Sequence, residues 1–90
     1  MRLDVFLKHS RLVPRRSVAQ ELCESGAVRV NGQRAKSSRE VRQGDELIVR
    51  TRHRVVTVRV VQVPVKAPSK AQAPSLYDLV KEEKILSSEF

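Results

Sequence analysis

Residues 26–32 read GAVRVNG, and along this stretch the spacing of apolar residues changes from a helical period to strict alternation. Val28 and Val30 alternate with Arg29, a pattern typical of a β-strand with one buried face. An Asn-Gly dipeptide ends the stretch, and it is the strongest short-range signal for a tight hairpin turn. We therefore predict helices before this stretch and an antiparallel sheet after it.

Two short helices are predicted on the N-terminal side. In residues 2–9, apolar side chains at i, i+3 and i+4 form one stripe, which indicates a helix. Asp4 falls in the first turn, where a carboxylate suits the helix dipole, and we expect it to pair with Lys8. Pro14 predicts the start of a second helix over residues 15–25, because the missing N–H of proline has no intrahelical partner in a first turn.

Four strands are predicted on the C-terminal side. Residues 27–30 and 33–36 flank the Asn-Gly turn, and β-branched runs at residues 46–50 and 55–63 continue the sheet. The order of elements predicts an α+β fold, in which two short helices pack on a small twisted antiparallel sheet.

The C-terminal third of the chain has a different composition. Residues 64–74 contain three prolines among small and polar residues, which predicts an extended linker. In residues 75–90, apolar side chains at i, i+3 and i+4 predict a short helix over residues 76–86. We therefore divide the chain into a domain at residues 1–63, a linker at residues 64–74 and a tail at residues 75–90.

The positive charge of the chain is concentrated in its first two thirds. The chain carries 18 Lys+Arg and 10 Asp+Glu, a formal net charge of +8. Residues 1–60 hold the whole excess, and 12 of their 14 basic residues are arginines. Arginine binds phosphate through a planar fork, so this bias predicts a polyanion as partner. The competing interpretations are charge that only keeps the protein soluble and an acidic membrane surface. No segment has the apolar face of an interfacial helix, so we expect no membrane partner.

Length and composition exclude several classes of protein. A chain of 90 residues allows one small domain with little room for a catalytic pocket. No apolar run approaches the roughly 20 residues of a membrane span, and the N-terminus lacks the apolar core of a secretion signal. A single cysteine allows no intrachain disulfide, which fits a reducing compartment. We therefore expect a cytoplasmic location. We also expect the chain to be a monomer.

The sequence offers few groups for catalysis or metal binding. Cys23 lies at helical spacing from Ala19, which is typical of a small buried hydrophobe. His9 and His53 stand outside any metal-ligand spacing. The three glycines are explained by turns and caps rather than by a phosphate-binding loop. We predict that the chain is not an enzyme and uses no metal or cofactor.

Basic residues at the starts of the two predicted helices are the candidate site. Arg2 begins the first helix, and Arg15 and Arg16 begin the second. A helix start offers free N–H groups and a partial positive charge, so arginines there are locally unfavourable and a bound anion would explain them. Lys8 and Arg11 lie nearby in sequence and extend this candidate phosphate-binding patch. The competing interpretation is that these side chains are simply solvated.

Five further arginines lie in the predicted strands and turns. They are interpreted equally well as solvated surface residues or as additional contacts, and the sequence leaves this choice open. These residues are Arg29, Arg50, Arg52, Arg54 and Arg59.

An ordered set of short motifs in residues 1–60 resembles the S4 RNA-binding domain family. Each motif alone is weak, but all of them occur in the family's order. The motifs are MRLD at the N-terminus, Ser10-Arg11, Arg16-x-x-Ala19, Gly26-x-Val28-x-Val30-Asn31-Gly32 and Val41-x-x-Gly44-Asp45. The resemblance implies two helices packed on a sheet, in agreement with the elements predicted from residue spacing.

Most S4 domains are attached to a catalytic partner, and the total length here resembles the stand-alone members. The MRLD start and the LVKEEK segment near the end most resemble those of bacterial ribosome-associated quality control. This resemblance implies binding to rRNA of the large ribosomal subunit and to P-site peptidyl-tRNA. It also implies that a partner factor adds a C-terminal alanine tail to the stalled chain. By matched position, Arg2 and Arg16 are the implied rRNA contacts.

Two alternatives remain at the level of sequence. One is a heat-shock-type S4 protein that recycles blocked large subunits. The other is a winged-helix DNA-binding module, although the third N-terminal helix of such modules is missing.

Overall fold

The computed structural model describes residues 1–85 of the chain. Two helices pack on one five-stranded antiparallel sheet with the strand order β2-β1-β3-β4-β5. This architecture confirms the predicted α+β fold and has one helix fewer at its N-terminal side than a winged-helix module. The elements are α1 (Leu3–His9), α2 (Arg16–Glu24), β1 (Val28–Val30), β2 (Gln33–Arg34), β3 (Glu46–Arg50), β4 (Arg54–Val60), a 3-10 turn (Ala73–Leu76) and β5 (Tyr77–Lys84).

The core lies between the helices and one face of the sheet. Val30, Leu47 and Val58 stand directly opposite one another on β1, β3 and β4, and all three are fully buried. Phe6 and Leu7 of the predicted apolar stripe of α1 belong to the same buried cluster. Full burial of one such side chain contributes about 1.5–3 kcal/mol, so this small cluster carries much of the stability of the fold.

The Asn-Gly turn forms as predicted and also fastens β3. Asn31 and Gly32 both have positive φ, 52° and 82°, as a two-residue turn of this hand requires. The Asn31 side chain accepts a hydrogen bond from the Glu46 backbone N–H at 2.9 Å and donates one to Asp45 Oδ1 at 3.1 Å. The turn therefore sets the register of the β1–β2 hairpin and of its neighbour.

Three boundaries differ from the prediction. Pro14 precedes the N-cap residue Arg15, so it lies before the first turn of α2 rather than in it. The strand β2 has only two residues. The strand β4 ends at Val60, and the next backbone N–H, that of Val61, donates to Leu76 O at 2.8 Å just before β5 begins.

The predicted helix over residues 76–86 is wrong. Tyr77–Lys84 is a strand that pairs with the full length of β4, from Tyr77 opposite Val60 to Lys84 opposite Arg54. The physical reason is that β4 would otherwise be an edge strand, whose backbone groups a second strand satisfies better than a short isolated helix does. Residues 86–90 of the predicted tail lie outside the described part of the chain.

Residues 61–72, between β4 and the 3-10 turn, contain no helix or strand. The sequence-based division into a domain, a linker and a tail stays a prediction. No helix within the described residues is long and apolar enough to cross a lipid bilayer.

The change from helix to strand gives a testable difference between two leucines. Leu76 is 2% exposed whereas Leu79 is 57% exposed, although a helix would place both on one buried stripe. We expect Leu76→Ala to lower the free energy of unfolding by about 2–4 kcal/mol, since it leaves a cavity. Leu79→Ala should change it by less than about 0.5 kcal/mol. Urea unfolding of both variants measures this, and equal losses would contradict the strand.

Candidate nucleic-acid interface

The buried carboxylate of Asp4 joins the starts of the two helices. Its Oδ2 accepts hydrogen bonds from Gln20 Nε2 at 2.9 Å and Arg16 Nε at 3.2 Å. Its Oδ1 accepts from Arg2 Nε at 3.2 Å and from the Val5 backbone N–H at 2.8 Å. A further bond runs from Arg2 Nη2 to Asp4 Oδ2 at 3.3 Å. We refer to Asp4, Arg2, Arg16 and Gln20 as the Asp4 cluster.

The expected pairing of Asp4 with Lys8 is therefore wrong. Asp4 is fully buried, whereas Lys8 is exposed in the last turn of α1. The contact was predicted from spacing within one helix, but the packing of α2 against α1 provides closer partners. Arg16 and Gln20 stand four residues apart on α2, so both reach the same carboxylate from one face of that helix.

The surroundings of Asp4 keep it charged. Burial by itself raises the pKa of the Asp4 carboxyl, but hydrogen bonds from Gln20, Arg16, Arg2 and the Val5 N–H outweigh it. The net pKa lies below the ordinary value of 3.8. At neutral pH the cluster therefore holds one negative and two positive charges, which leaves a net charge of +1.

Asp4 orients the two arginines without covering them. The side chains of Arg2 and Arg16 remain 47% and 50% exposed, while Asp4 is not exposed at all. Only Nε of Arg16 donates to Asp4 within residues 1–85, so both terminal nitrogens of that guanidinium remain available to another acceptor. The sequence predicted that an anion would explain arginines at helix starts. Asp4 is such an anion within the protein, and it leaves phosphate-binding capacity on the surface.

The other three candidate residues lie apart from Asp4. Arg15 is the exposed N-cap residue of α2, next to Arg16 in sequence. Lys8 and Arg11 line a cavity of about 330 Å³ together with Pro68 of the predicted linker. The structure thus brings Arg2 and Arg16 together on one carboxylate, and it places Lys8 in the last turn of α1 and Arg11 just after that helix. RNA contact by any of the five stays a prediction.

Gln20 is the functional candidate that the sequence prediction missed. Two features of the sequence point to Gln20. It lies one turn after Arg16 on a predicted helix, and an acid lies on the apolar side of α1. Asp4 is adjacent to Leu3 in the apolar stripe, and a charged residue at such a position requires partners from a neighbouring element. Which element supplied those partners was decided by packing.

The groups suited to nucleophilic or metal chemistry are not activated. Burial, with a smaller contribution from Asp4, raises the pKa of the Cys23 thiol to about 11. Burial and the nearby Lys8 charge lower the pKa of His9. Within residues 1–85, no three His, Cys, Asp or Glu side chains are grouped as metal ligands.

The raised pKa of Cys23 predicts slow reaction with thiol reagents. The thiolate is the reactive species, and at pH 8 this buried group is almost entirely protonated. We expect a disulfide reagent to label the native protein at least about 100-fold more slowly than the protein unfolded in urea, in which the thiol has its ordinary pKa. A stopped-flow absorbance trace measures both rates. Equal rates would show that Cys23 is accessible.

Comparison with known proteins identifies the family. The S4 domain family model matches residues 1–47, a span that contains both helices and the whole Asp4 cluster. An RQC P-site tRNA stabilizing factor of Halalkalibacterium halodurans is 47% identical over 89 residues, covering 99% of this chain and 100% of that protein. The protein of the same name from Bacillus subtilis is 45% identical over 85 residues, covering 94% and 98%.

Solved structures show the same fold. A structure of Heat Shock Protein 15 from Vibrio cholerae, described as trimeric, superposes with a TM-score of 0.82 at 32% identity, over 89% of this chain and 81% of that one. The solution structure of the hypothetical protein HP1423 gives a TM-score of 0.70 at 31% identity, over 98% and 100%.

These relatives also bear on the question of catalysis. Their printed names describe stabilisation of a tRNA, and they match this chain over nearly its whole length, including the S4 domain. The prediction that the chain is not an enzyme is therefore confirmed by its family. The chain belongs to the S4 domain family and, within that family, to the RQC P-site tRNA stabilizing factors.

Proposed function

We propose that the chain is a non-enzymatic RNA-binding factor of ribosome-associated quality control, which stabilises P-site tRNA on the large ribosomal subunit. The observation that supports this most directly is the pair of half-exposed arginines held on buried Asp4, within the span that matches the S4 domain. Two guanidinium groups oriented in advance bind phosphate with a smaller entropy loss than free side chains do. Relatives over nearly the whole length carry the corresponding name.

The mode of recognition that fits this surface is contact with the RNA backbone. Aromatic residues make up only 3% of the chain, and Phe6 is fully buried in the core. Phe6, the aromatic residue of α1, therefore offers no surface on which unpaired bases could stack. Arginines instead favour phosphate oxygens of structured RNA, whose shape and 2′-hydroxyl groups they read.

Finer aspects of this role follow from the same proposal. Arg2 and Arg16, extended by Lys8, Arg11 and Arg15, contact rRNA of the large subunit and the P-site peptidyl-tRNA. The bound factor supports alanine tailing of the stalled nascent chain by a separate tail-elongating factor. It acts in the cytoplasm as a monomer and needs no cofactor.

Sedimentation tests the central statement. Cell extract is separated on a sucrose gradient at low salt, and the chain is detected in each fraction. We expect it to co-migrate with free large subunits that carry peptidyl-tRNA and to leave them as salt rises, because phosphate contacts release counterions. A chain that stays at the top of the gradient at low salt would contradict the proposal.

A second candidate function is recycling of blocked large subunits. The observation in its favour is the TM-score of 0.82 with Heat Shock Protein 15. Electron microscopy of the native complex separates the two roles: a P-site tRNA together with a tail-adding partner supports quality control, and their absence supports recycling.

Light scattering of the pure protein tests the expected monomer against the trimer described for the Vibrio cholerae structure.

A further inference from the structure

A second basic surface lies at the turn between β3 and β4. Residues 50–54 read RTRHR, and only Thr51 among them is partly buried. Lys84, in β5, stands directly opposite Arg54 in the sheet. This surface, which we name the turn cluster, consists of Arg50, Arg52, His53, Arg54 and Lys84.

Hydrogen bonds hold the backbone of the turn cluster in place. The backbone N–H and the hydroxyl of Thr51 donate to Arg54 O at 2.8 and 3.2 Å. The backbone N–H of Ile85 donates to His53 O at 2.8 Å, and this bond joins the tip of the turn to the residue that follows β5. The basic side chains therefore extend from a fixed backbone, and binding through them orders fewer degrees of freedom than binding through a loose loop.

The turn cluster keeps most of its positive charge. Arg54 pairs with Glu82 at 2.9 Å, and the neighbouring Glu83 pairs with Lys81 at 3.3 Å. Arg50 and Arg52 form no ion pair with any described residue. Both side chains are exposed and lie two residues apart in sequence, so an external anion can bind either of them without breaking an ion pair within the described residues.

The turn cluster is separated from the Asp4 cluster. The Arg50 backbone N–H donates to Ala27 O at 2.8 Å, so Arg50 lies just past the C-terminal end of α2. Arg16 begins the same helix. The nine residues of α2 span roughly 13 Å, so the backbones of Arg16 and Arg50 lie at opposite ends of this helix.

We propose that the turn cluster is a second phosphate-binding surface, which contacts a different part of the bound RNA from that contacted by the Asp4 cluster. The inference rests on the proposed function, since the large subunit with its tRNA supplies the RNA. Phosphate contacts fix the position and orientation of a protein on RNA without reading sequence. Attachment at both ends of α2 fixes the orientation of this small domain in a way that one surface alone does not.

Salt-dependent binding tests the inference. Affinity of the full chain for purified large subunits carrying peptidyl-tRNA is measured from 50 to 200 mM KCl. We expect the Arg50→Ala/Arg52→Ala variant to bind more weakly, with a log–log salt slope shallower by about 1.4–1.8, since each lost phosphate contact removes about 0.7–0.9. The matched control, Lys66→Ala/Lys70→Ala, removes two exposed charges from the predicted linker and should leave the slope unchanged.

The outcomes separate the two proposals. If the wild-type chain binds and the arginine variant has the affinity and slope of the lysine control, the turn cluster is not an RNA contact, while the proposed function stands. If the wild-type chain does not bind at all, both proposals fail. Thermal unfolding of the arginine variant should match that of the wild type, because neither side chain is buried or paired within residues 1–85.

Crosslinking distinguishes RNA from an acidic protein surface. A photo-crosslinker is attached to the introduced thiol of a His53→Cys variant, at the tip of the turn, and the native complex is irradiated. Cys23 is buried and does not compete for the reagent. We expect the label in RNA, within a segment different from that crosslinked at an Arg15→Cys variant. Label in protein alone, or in one and the same RNA segment from both variants, would overturn the inference.

Discussion

The Asp4→Ala variant should lose about 2–3 kcal/mol of its free energy of unfolding and also bind the large subunit more weakly. Removal of this fully buried carboxylate breaks hydrogen bonds from Arg2, Arg16 and Gln20 at once. Breaking a buried ion pair costs about 3–5 kcal/mol when the partner charge stays buried. The loss expected here is at or below the bottom of that range, because both arginines are about half exposed and regain water. Urea unfolding measures the loss.

A matched control separates this effect from loss of negative charge in general. Glu21 is an exposed acid on α2 that forms no ion pair with a described residue, so Glu21→Ala should change stability by less than about 0.5 kcal/mol. The two variants have the same charge. If both unfold at the same urea concentration, Asp4 does not organise the helix starts.

The lowered pKa of Asp4 gives this prediction a pH dependence. A carboxyl whose pKa is lower in the folded state stabilises the protein fully above the ordinary pKa, here 3.8, and the stabilisation is lost as pH falls through the lower value. In the wild type, stability should therefore fall below about pH 4, more steeply than in Asp4→Asn, which has no carboxyl to protonate. Parallel acid unfolding curves of the two proteins would contradict the ionised state assigned to Asp4.

The Arg16→Ala variant should bind large subunits carrying peptidyl-tRNA roughly 10- to 100-fold more weakly than the wild type. The loss of one hydrogen bond between charged groups costs about 1.5–3 kcal/mol, and the terminal nitrogens of Arg16 remain free to form such a bond with a phosphate. The salt slope should also become shallower by about 0.7–0.9. Arg2→Ala should act in the same direction, since Asp4 holds both side chains.

Two further variants make the test specific. Arg16→Lys keeps the charge but lacks the planar fork that bonds Asp4 and a phosphate together, so it should restore only part of the affinity. Arg29→Ala removes an exposed arginine from β1, whose buried residues Val28 and Val30 face the core on the other side of the strand, and it should bind as the wild type does. If Arg29→Ala and Arg16→Ala weaken binding equally, only net charge matters and the Asp4 cluster is not the interface.

The elements that were predicted correctly are those determined by neighbours in sequence. The stripe of α1 depends on side chains three and four residues apart, and the β1–β2 turn depends on the positive φ of Asn31-Gly32. Both are local, so periodicity and turn chemistry were sufficient. The C-terminal segment has ambiguous local signals, since Leu76, Leu79 and Val80 fit a helical stripe although the last two are exposed in β5.

The sequence by itself determined a small, Arg-rich α+β domain whose helices begin with basic residues and whose motifs follow the S4 order. The tertiary structure decided that β5 completes the sheet, because pairing with β4 depends on a strand at least 17 residues away in sequence. The tertiary structure also decided which group of the protein the arginines contact. Whether Arg2 and Arg16 repel each other or are held side by side depends on the buried Asp4 between them, and only the packing of α1 against α2 brings those three charges together.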